Sequence, residues 1–378
     1  MNVLKILEKE TRGKCFGSRR YNVDTISLSP LAYDEPPKMI YKIQGETEKH
    51  KTYVDLDTLA RRMANNDSIL RFFLDGSRHT YKVDDIAIGN NVYPIVAGQI
   101  GVGCCRRDNR TMSPQRLYRE FVLVLPSIVN KDGNNDELFF NLLMQKINAS
   151  DVLNRYGIKF GKILYYHARK DEDSEKSSIA KIQDRMIELE KTMVKELTEQ
   201  KLLASGAYLV KDGSLEYRMM TKTDDPFHFD KIRNDYRHVI GVSKSFNPDL
   251  AKSISGQSNA KFIAELPLYS RTPAFMYSSE ILGEELYAIW YLRIRGAHIN
   301  SPFDGILKVE KVLISERERQ IGLSSEEIDT ISANLINERN PVCYGIDERW
   351  ANHIYPVFLT ESFVKSKYLS TEFFLNIF

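Results

Sequence analysis

The chain contains 378 residues, of which 42% are hydrophobic and 28% are charged, and its formal net charge at neutral pH is +2. This length can bury a large core in one elaborate domain or two, and the composition is typical of a soluble globular protein. Because the net charge is small, the overall charge gives no indication of nucleic-acid binding. Any basic surface that binds nucleic acid must be a local patch. No long uncharged apolar run is present, and we therefore expect neither a transmembrane helix nor a membrane partner.

The N-terminus and the cysteines indicate the cellular compartment. Residues 1–10 are amphipathic and charged, a pattern unlike that of a signal peptide. Cys15, Cys104, Cys105 and Cys343 form no Cys-x-x-Cys pair, so a structural zinc site is not expected. We therefore expect a cytoplasmic protein in which Cys104 and Cys105 are reduced packing residues rather than a redox pair.

Hydrophobic patterning divides the chain into an N-terminal section, residues 1–65, and a main domain, residues 66–378. The first section contains a predicted short helix, a proline-containing loop and a strand, and we expect it to provide packing or dimer and partner contacts. In the main domain, apolar runs and helical periodicity predict a series of elements. These are strands at 69–75, 92–105, 119–126, 158–166, 206–212, 237–246, 286–295 and 306–314, and helices at 137–147, 179–203, 230–236 and 324–337.

Two of the predicted strands run into the same tripeptide, Asp-Gly-Ser. Asp75 follows an apolar run that starts at Leu70, and Asp212 follows one that starts at Gly206. Ligands collect at the carboxyl ends of strands in open α/β sheets, and paired carboxylates on rigid elements suit oxygen-binding divalent metals. Asp-Gly is also a common hairpin turn. The spacing alone therefore leaves a turn and a metal site both open.

The long helix at 179–203 offers a third acid. Glu190 lies beside its buried stripe, while Glu188 and Glu196 compete for the same role, and an acid in such a place also commonly points to solvent. The order strand–Asp, two strands, helix–Glu, strand–Asp is the layout of the ribonuclease-H-like fold, in which three acids bind one or two divalent ions. We expect an α/β fold, a mixed sheet flanked by helices, with a ribonuclease-H-like core and additional β-hairpin and helical elements.

Basic residues at two places could contact a phosphate backbone. Lys244 ends the strand predicted from Arg237, at the same end of the sheet as the two aspartates. It could hold a scissile phosphate there, or it could be an ordinary surface lysine. Arg293 and Arg295 alternate with aromatic residues in a predicted hairpin, which would leave one face for contacts with DNA.

In their order along the chain, these residues resemble the motifs of the NurA nucleases, a family that works with HerA-type hexameric ATPases. The matching segments are Asp75-Gly76-Ser77, Asp212-Gly213-Ser214-Leu215, Ile240-Gly241-Val242-Ser243-Lys244 and Tyr355-Pro356. The resemblance covers roughly residues 70–370. It implies a ribonuclease-H-like core, a homodimer and cleavage of DNA that depends on Mn²⁺ or Mg²⁺.

The resemblance also implies roles for individual residues. Asp75 and Asp212 would be metal ligands, and the family's helix acid would correspond to Glu190. Lys244 would contact the phosphate. Tyr355 matches the tyrosine of the C-terminal motif.

One departure from the family pattern lies near the C-terminus. After Tyr-Pro the family commonly carries a leucine and then an Ala-His pair. Leu359 is in place here, but Ser362-Phe363 stand where the pair would be. His353 is the candidate to replace the histidine, and the departure suggests a divergent branch of the family.

Two functions of different classes follow. The first is a two-metal DNA nuclease that acts on single strands or DNA ends with a HerA-like ATPase, in DNA end processing or phage defence. The second, which the missing histidine favours, is a weakened nuclease-fold module that binds DNA and regulates the ATPase without cutting. An Argonaute-like nuclease ranks last, because no guide-pocket signature is visible.

Overall fold

The structure is a computed structural model. It describes residues 2–16, 20–25, 39–130, 133, 135–168, 173–215, 233–248, 258–279, 285–296, 301–343 and 348–378. Of the helix predicted at 230–236, residues 233–235 are helical and residues 230–232 lie outside the described residues. None of the helices in the described ranges is long and apolar enough to cross a membrane.

The strands coincide with the runs of apolar, β-branched and aromatic residues, because such side chains fit a pleated and largely buried surface. In the described residues they are β1 (Lys14–Cys15), β2 (Tyr21–Asn22), β3 (Met39–Gln44), β4 (Val54–Asp55), β5 (Leu70–Ile88), β6 (Asn91–Asp108), β7 (Thr111–Pro126), β8 (Phe160–Tyr166), β9 (Tyr208–Asp212), β10 (Val239–Ser243), β11 (Ser270–Arg271), β12 (Phe275–Ser279), β13 (Glu285–Arg293) and β14 (Ile306–Val312).

Several helices begin where a side chain caps the free backbone N–H groups of the first turn. At the start of the longest helix, for example, the Asp173 carboxylate accepts a hydrogen bond of 2.9 Å from the N–H of Glu175. The described helices are α1 (Val3–Thr11), α2 (Asp57–Met63), α3 (Asp136–Asn148), α4 (Asp151–Tyr156), α5 (Ser174–Glu199), α6 (Ala260–Ala264), α7 (Glu316–Ile321), α8 (Ser325–Asn337), α9 (Tyr355–Lys365) and α10 (Thr371–Leu375). Short 3-10 segments are found at Val23–Thr25, Ser127–Val129 and Glu348–Asn352.

The described strands form one mixed sheet of 14 strands. Its main path is β3-β12-β13-β14-β10-β9-β5-β6-β7-β8, with β1 and β2 paired to β5 and with β4 and β11 paired beside β13. The strands β5, β6 and β7 form an antiparallel meander, whereas β9 runs parallel to β5 and β10 runs parallel to β9. The predicted class, a mixed α/β sheet flanked by helices, is confirmed.

The first Asp-Gly-Ser is not at a strand end. The strand β5 continues through it to Ile88, and Asp75, Gly76 and Ser77 each pair with a residue of β6. The predicted end of the strand at Asp75 is therefore wrong, and so is the hairpin-turn interpretation of this tripeptide. The second copy does end a strand, since β9 stops at Asp212 and Gly213 has a φ of +88°.

Helices cover both faces of the sheet around β5 and β9. Leu74 packs in a cluster with Met186 of α5, and we call this side the α5 face. Phe73 and Val210 pack in another cluster with Val357 of α9, and we call that side the α9 face. Because consecutive residues of a strand point to opposite faces, neighbouring positions of β5 and β9 serve different layers of the molecule.

Two glycines of β6 allow α9 to approach the sheet closely. A Cβ atom on Gly103 would lie 2.5 Å from a methyl carbon of Val364, and one on Gly101 would lie 2.7 Å from the other methyl carbon. Any side chain at these positions would therefore push α9 away from β6. This approach brings the polar residues of α9 close to β5.

The N-terminal section contributes strands to the same sheet, since β3 pairs with β12 and both β1 and β2 pair with β5. It also supplies Glu46, which is fully buried with Arg271. The two side chains form a bidentate pair of 3.0 and 2.8 Å, and Glu46 also accepts a 2.8 Å hydrogen bond from the N–H of Ala274. Dimer or partner contacts of this section remain a prediction.

We expect Glu46→Ala to lower the free energy of unfolding by about 3 kcal/mol, because the variant loses the bidentate pair and leaves the buried Arg271 with Asp329 as its carboxylate partner among the described residues. Urea denaturation followed by circular dichroism would measure the change. Glu199→Ala is the matched control, since Glu199 and Lys195 form an exposed pair that is worth at most about 1 kcal/mol. Equal losses in the two variants would contradict a central role for the Glu46–Arg271 pair.

Candidate carboxylate site

The parallel pairing of β5 with β9 brings the two aspartates together. Leu74 pairs with Lys211, so the next residues, Asp75 and Asp212, are level on adjacent strands. Both side chains point to the α9 face, because Phe73 and Val210, two positions earlier, do so. The side chain of Asp75 is buried and that of Asp212 is largely buried.

Lys244 joins the aspartates on the α9 face. The strand β10 runs parallel to β9 with Val242 opposite Asp212, so Lys244 lies just beyond the end of the pairing. Its Nζ lies 2.9 Å from Oδ2 of Asp212 and 3.4 Å from Oε2 of Glu361. Burial lowers the pKa of Lys244, but Asp212 and Glu361 outweigh burial and raise it above the ordinary value. The ammonium group therefore stays charged at neutral pH.

Glu361 of α9 is the acid that the sequence analysis missed. It lies between two lysines, 3.4 Å from Lys244 and 2.6 Å from Lys365. Burial raises the pKa of Glu361, but these lysines outweigh burial and lower it below the ordinary value. One sequence signal could have indicated Glu361: it lies four residues before Lys365 on the helix that starts at Tyr355, a spacing that brings two side chains together.

Asp75 has the least compensated charge in the cluster. Burial, followed by the nearby carboxylates of Asp212 and Glu361, raises its pKa well above the ordinary value, and Lys244 offsets this only in part. Its Oδ2 atom is buried and has no hydrogen-bond partner among the described residues. In this arrangement Asp75 favours its neutral form, and a cation near Oδ2 would reverse that preference.

The donor chemistry of the cluster fits a divalent cation that prefers oxygen. Asp75, Asp212 and Glu361 offer carboxylate oxygens, the ligands that Mg²⁺ and Mn²⁺ take in proteins. One of those oxygens, Oδ2 of Asp75, has no hydrogen-bond partner in the part of the chain that the structure describes. Within the described residues, however, no three acidic, histidine or cysteine side chains are already arranged around a common metal position. Lys244 instead forms ion pairs with both Asp212 and Glu361 here.

The structure separates Glu190 from the aspartates. Its carboxylate lies on the α5 face, where Oε2 is 3.2 Å from Nζ of Lys211. A Cβ atom on Gly76 would collide with Oε1 of Glu190, which places this carboxylate directly over β5. Since Lys211 and Asp212 are consecutive in β9, they point to opposite faces. The structure therefore places Glu190 on the opposite face of the sheet from Asp75 and Asp212, and it does not bring the three predicted ligands together on one face.

The other two glutamates considered on this helix are engaged elsewhere. Glu188 is 2.8 Å from Arg185, and Glu196 is 2.7 Å from Arg116. Helical periodicity identified the buried stripe of α5 but not the sheet face that the stripe covers. The acid on the α9 face comes from α9 instead.

Tyr355 and His353 lie at the start of α9. Tyr355 lines a cleft of about 790 Å³ whose other lining residues include Arg71, Arg107 and Arg110. His353 is buried, with its ring centroid 6.1 Å from that of Phe358. It is among the groups that lower the pKa of Glu361, so it belongs to the surroundings of the carboxylate site.

Arg293 and Arg295 are not on an exposed hairpin face. Arg293 is 2% exposed and donates to the carbonyl oxygens of Ala264, Pro302 and Asp304. Arg295 is 9% exposed and donates to carbonyl oxygens near the start of α9. The prediction of an open face was wrong because both faces of β13 are covered by core clusters.

We expect Asp75→Asn to stabilise the metal-free protein at high pH. A raised folded-state pKa means that the wild type is most stable below the carboxyl's unfolded pKa of about 4 and loses stability as the pH rises through the folded pKa. Asparagine has no proton to lose. In chelator at pH 8, the variant should be more stable by about 1 kcal/mol or more, since one pKa unit corresponds to about 1.4 kcal/mol.

Urea denaturation at pH 4 and pH 8 would measure this difference. The two proteins should be similar at pH 4 and diverge at pH 8. A difference in the free energy of unfolding that does not change between the two pH values would show that Asp75 titrates normally.

No protein-family model and no curated protein matches the chain. Among solved structures, the chain is similar to the crystal structure of the NurA nuclease from Sulfolobus solfataricus. The TM-score is 0.41 and the sequence identity is 10%, over 81% of this chain and 87% of that chain.

Proposed function

We propose that this protein is a metal-dependent nuclease that cleaves the phosphodiester bonds of DNA. The observation that carries the proposal is the cluster on the α9 face: Asp75 and Asp212 level on adjacent parallel strands, with Glu361 and Lys244 beside them. Three carboxylates and one ammonium group on rigid elements suit the hydrolysis of a phosphodiester, in which negative charge develops on the attacking and leaving oxygens.

The proposal includes a ribonuclease-H-like core. The supporting observation is the strand order β7-β6-β5-β9-β10, in which a three-strand antiparallel meander is followed by two strands parallel to its first strand. In such a core the acids lie on the first and fourth strands of the set, as Asp75 and Asp212 do on β5 and β9. The third acid would come from α9 rather than from α5.

Each residue has a proposed task. Asp75, Asp212 and Glu361 would hold Mn²⁺ or Mg²⁺, which would supply charge neutralisation and an activated water when bound. Lys244 stays cationic and lies beside two of these carboxylates, so it could hold a non-bridging or leaving oxygen of the scissile phosphate. Burial of the cluster strengthens these electrostatic interactions, because little water screens them.

We extend the proposal to the partners that the sequence motifs suggest, a HerA-like hexameric ATPase and a second copy of this chain. DNA end processing and phage defence are the proposed settings. Sedimentation of the purified protein, alone and mixed with a HerA-type ATPase, would test both partnerships. A monomer that never co-sediments with the ATPase would remove this extension and leave the nuclease proposal standing.

A second candidate is a DNA-binding module that does not cut. The observation that favours it is the pairing of Lys244 with both Asp212 and Glu361, which satisfies two of the three acids without a metal. The cleft beside α9, with Arg71, Arg107 and Arg110 among its lining residues, offers groups that could contact a phosphate backbone. Binding of DNA with no cleavage under any divalent ion would favour this candidate.

We expect Asp212→Asn to lower the rate of DNA cleavage by at least about 100-fold, because it removes a charged ligand and the partner of Lys244. Linear single- and double-stranded DNA would be incubated with Mn²⁺, Mg²⁺ or chelator, with and without the ATPase and ATP. Asp57→Asn is the matched control, because Asp57 is a partly exposed residue of α2 that pairs with Arg61, away from the site. Cleavage that survives in Asp212→Asn would reject the proposed site.

Glu361→Gln should weaken Mn²⁺ binding by about 10-fold or more, because a neutral amide is a poorer ligand for a hard cation than a carboxylate. Calorimetric titration of Mn²⁺ would measure the affinity without requiring activity. Unchanged Mn²⁺ affinity would remove Glu361 from the ligand set.

A further inference from the structure

The turn that follows Asp212 is held by a buried lysine. Lys211 is 5% exposed, and its Nζ donates to the backbone carbonyls of Asp212 at 2.9 Å and of Ser214 at 3.2 Å. The N–H of Gly213 donates to the carbonyl of Val242 on β10 at 2.9 Å. The backbone around Asp212 is therefore held by the side chain of Lys211 and by the strand β10.

A second buried acid holds the far end of the same turn. Glu310 of β14 accepts hydrogen bonds from the N–H of Leu215 at 2.7 Å and from Oγ of Ser214 at 2.9 Å. Its charge is matched by Lys308, whose Nζ lies 2.8 Å away, and both side chains are 2% exposed. The turn is thus tied to a strand two places away in the sheet.

Glu190 connects this turn to β5. One of its oxygens pairs with Lys211, next to Asp212, and the other lies over Gly76, next to Asp75. The glutamate therefore contacts both strands that carry the proposed catalytic aspartates, at the residues adjacent to them. It does so from the α5 face, away from the α9 face on which the aspartates point.

We infer that Glu190 and Glu310 are positioning residues that set the spacing of Asp75 and Asp212 through Lys211 and Ser214. The inference rests on the proposed nuclease function. It assigns a structural task to the helix acid that the motif resemblance implies as a metal ligand.

The cost of burying these charges supports a positioning role. Burying two ion pairs is expensive, and well-packed apolar side chains often give equal or greater stability. Their best-attested benefit is to specify one arrangement of the chain. Here the arrangement concerns two carboxylates on adjacent strands, and a misplacement of about 1 Å can cost about 100-fold in rate.

The test compares Glu190→Gln, Glu310→Gln and the milder Ser214→Ala with wild type and with Glu188→Gln. Glu188 lies on the same helix but pairs with Arg185, so it is the matched control. Three quantities are measured: amide hydrogen exchange at Gly213 and Leu215, Mn²⁺ affinity by calorimetry, and kcat and KM for DNA cleavage. The first two do not depend on nuclease activity.

A positioning role predicts faster exchange at Gly213 and Leu215 in all three variants, with Mn²⁺ affinity within about 3-fold of wild type and kcat lowered about 10- to 100-fold at little changed KM. Glu188→Gln should match wild type throughout. Loss of Mn²⁺ binding in Glu190→Gln with unchanged exchange would overturn the inference and make Glu190 a ligand. Unchanged exchange in all three variants would also overturn it.

If the wild type cleaves no DNA, the proposed function fails, but the exchange data still decide whether the turn is held as described. If the wild type cleaves and the three variants cleave at the wild-type rate, the positioning inference fails alone.

Discussion

The candidate site depends on the parallel pairing of β9 with β5. This pairing sets Asp75 and Asp212 level on one face of the sheet, although 136 positions separate them in the numbering of the chain. Parallel strands require a long connection, and here the connection contains β6, β7, β8 and the helix α5. This connection supplies the strand β6, which pairs with β5, and the helix α5, which covers the opposite face of the sheet, whereas α9, from the C-terminal part of the chain, covers the site itself.

Charge is distributed differently on the two faces of this part of the sheet. On the α9 face, three acids share the positive charges of Lys244 and the more exposed Lys365, and Asp75 is left with a raised pKa. On the α5 face, Glu190 and Glu310 are each paired with a lysine. Although burial raises the pKa of Glu310, Lys308 helps to lower it below the ordinary value, whereas burial outweighs Lys211 and raises the pKa of Glu190. The two faces therefore differ in their partners: each acid on the α5 face has a lysine beside it, whereas Oδ2 of Asp75 has no hydrogen-bond partner among the described residues.

Parts of this arrangement followed from the sequence alone. The apolar runs before Asp75 and Asp212 predicted two buried strands, and the stripe on residues 179–203 predicted a long helix close to the observed α5. Local periodicity does not state which layer covers a surface, so it did not show that Glu190 lies on the opposite face from the aspartates or that Arg293 and Arg295 are covered. The end of β5 was placed thirteen residues before its observed end at Ile88 because Asp-Gly-Ser is typical of a turn, whereas here the tripeptide pairs with β6.

The sequence by itself therefore determined the elements and the residue types available for chemistry, because local patterns of burial and turn propensity act over a few residues. Only the tertiary structure decided which of those residues meet. Glu361 reaches Lys244 because Gly101 and Gly103 let α9 lie close to β6, and Glu190 lies against Gly76 because α5 packs on the other face. Such contacts join segments that are distant in the sequence. They depend on strand register and helix packing, and a short sequence pattern encodes neither.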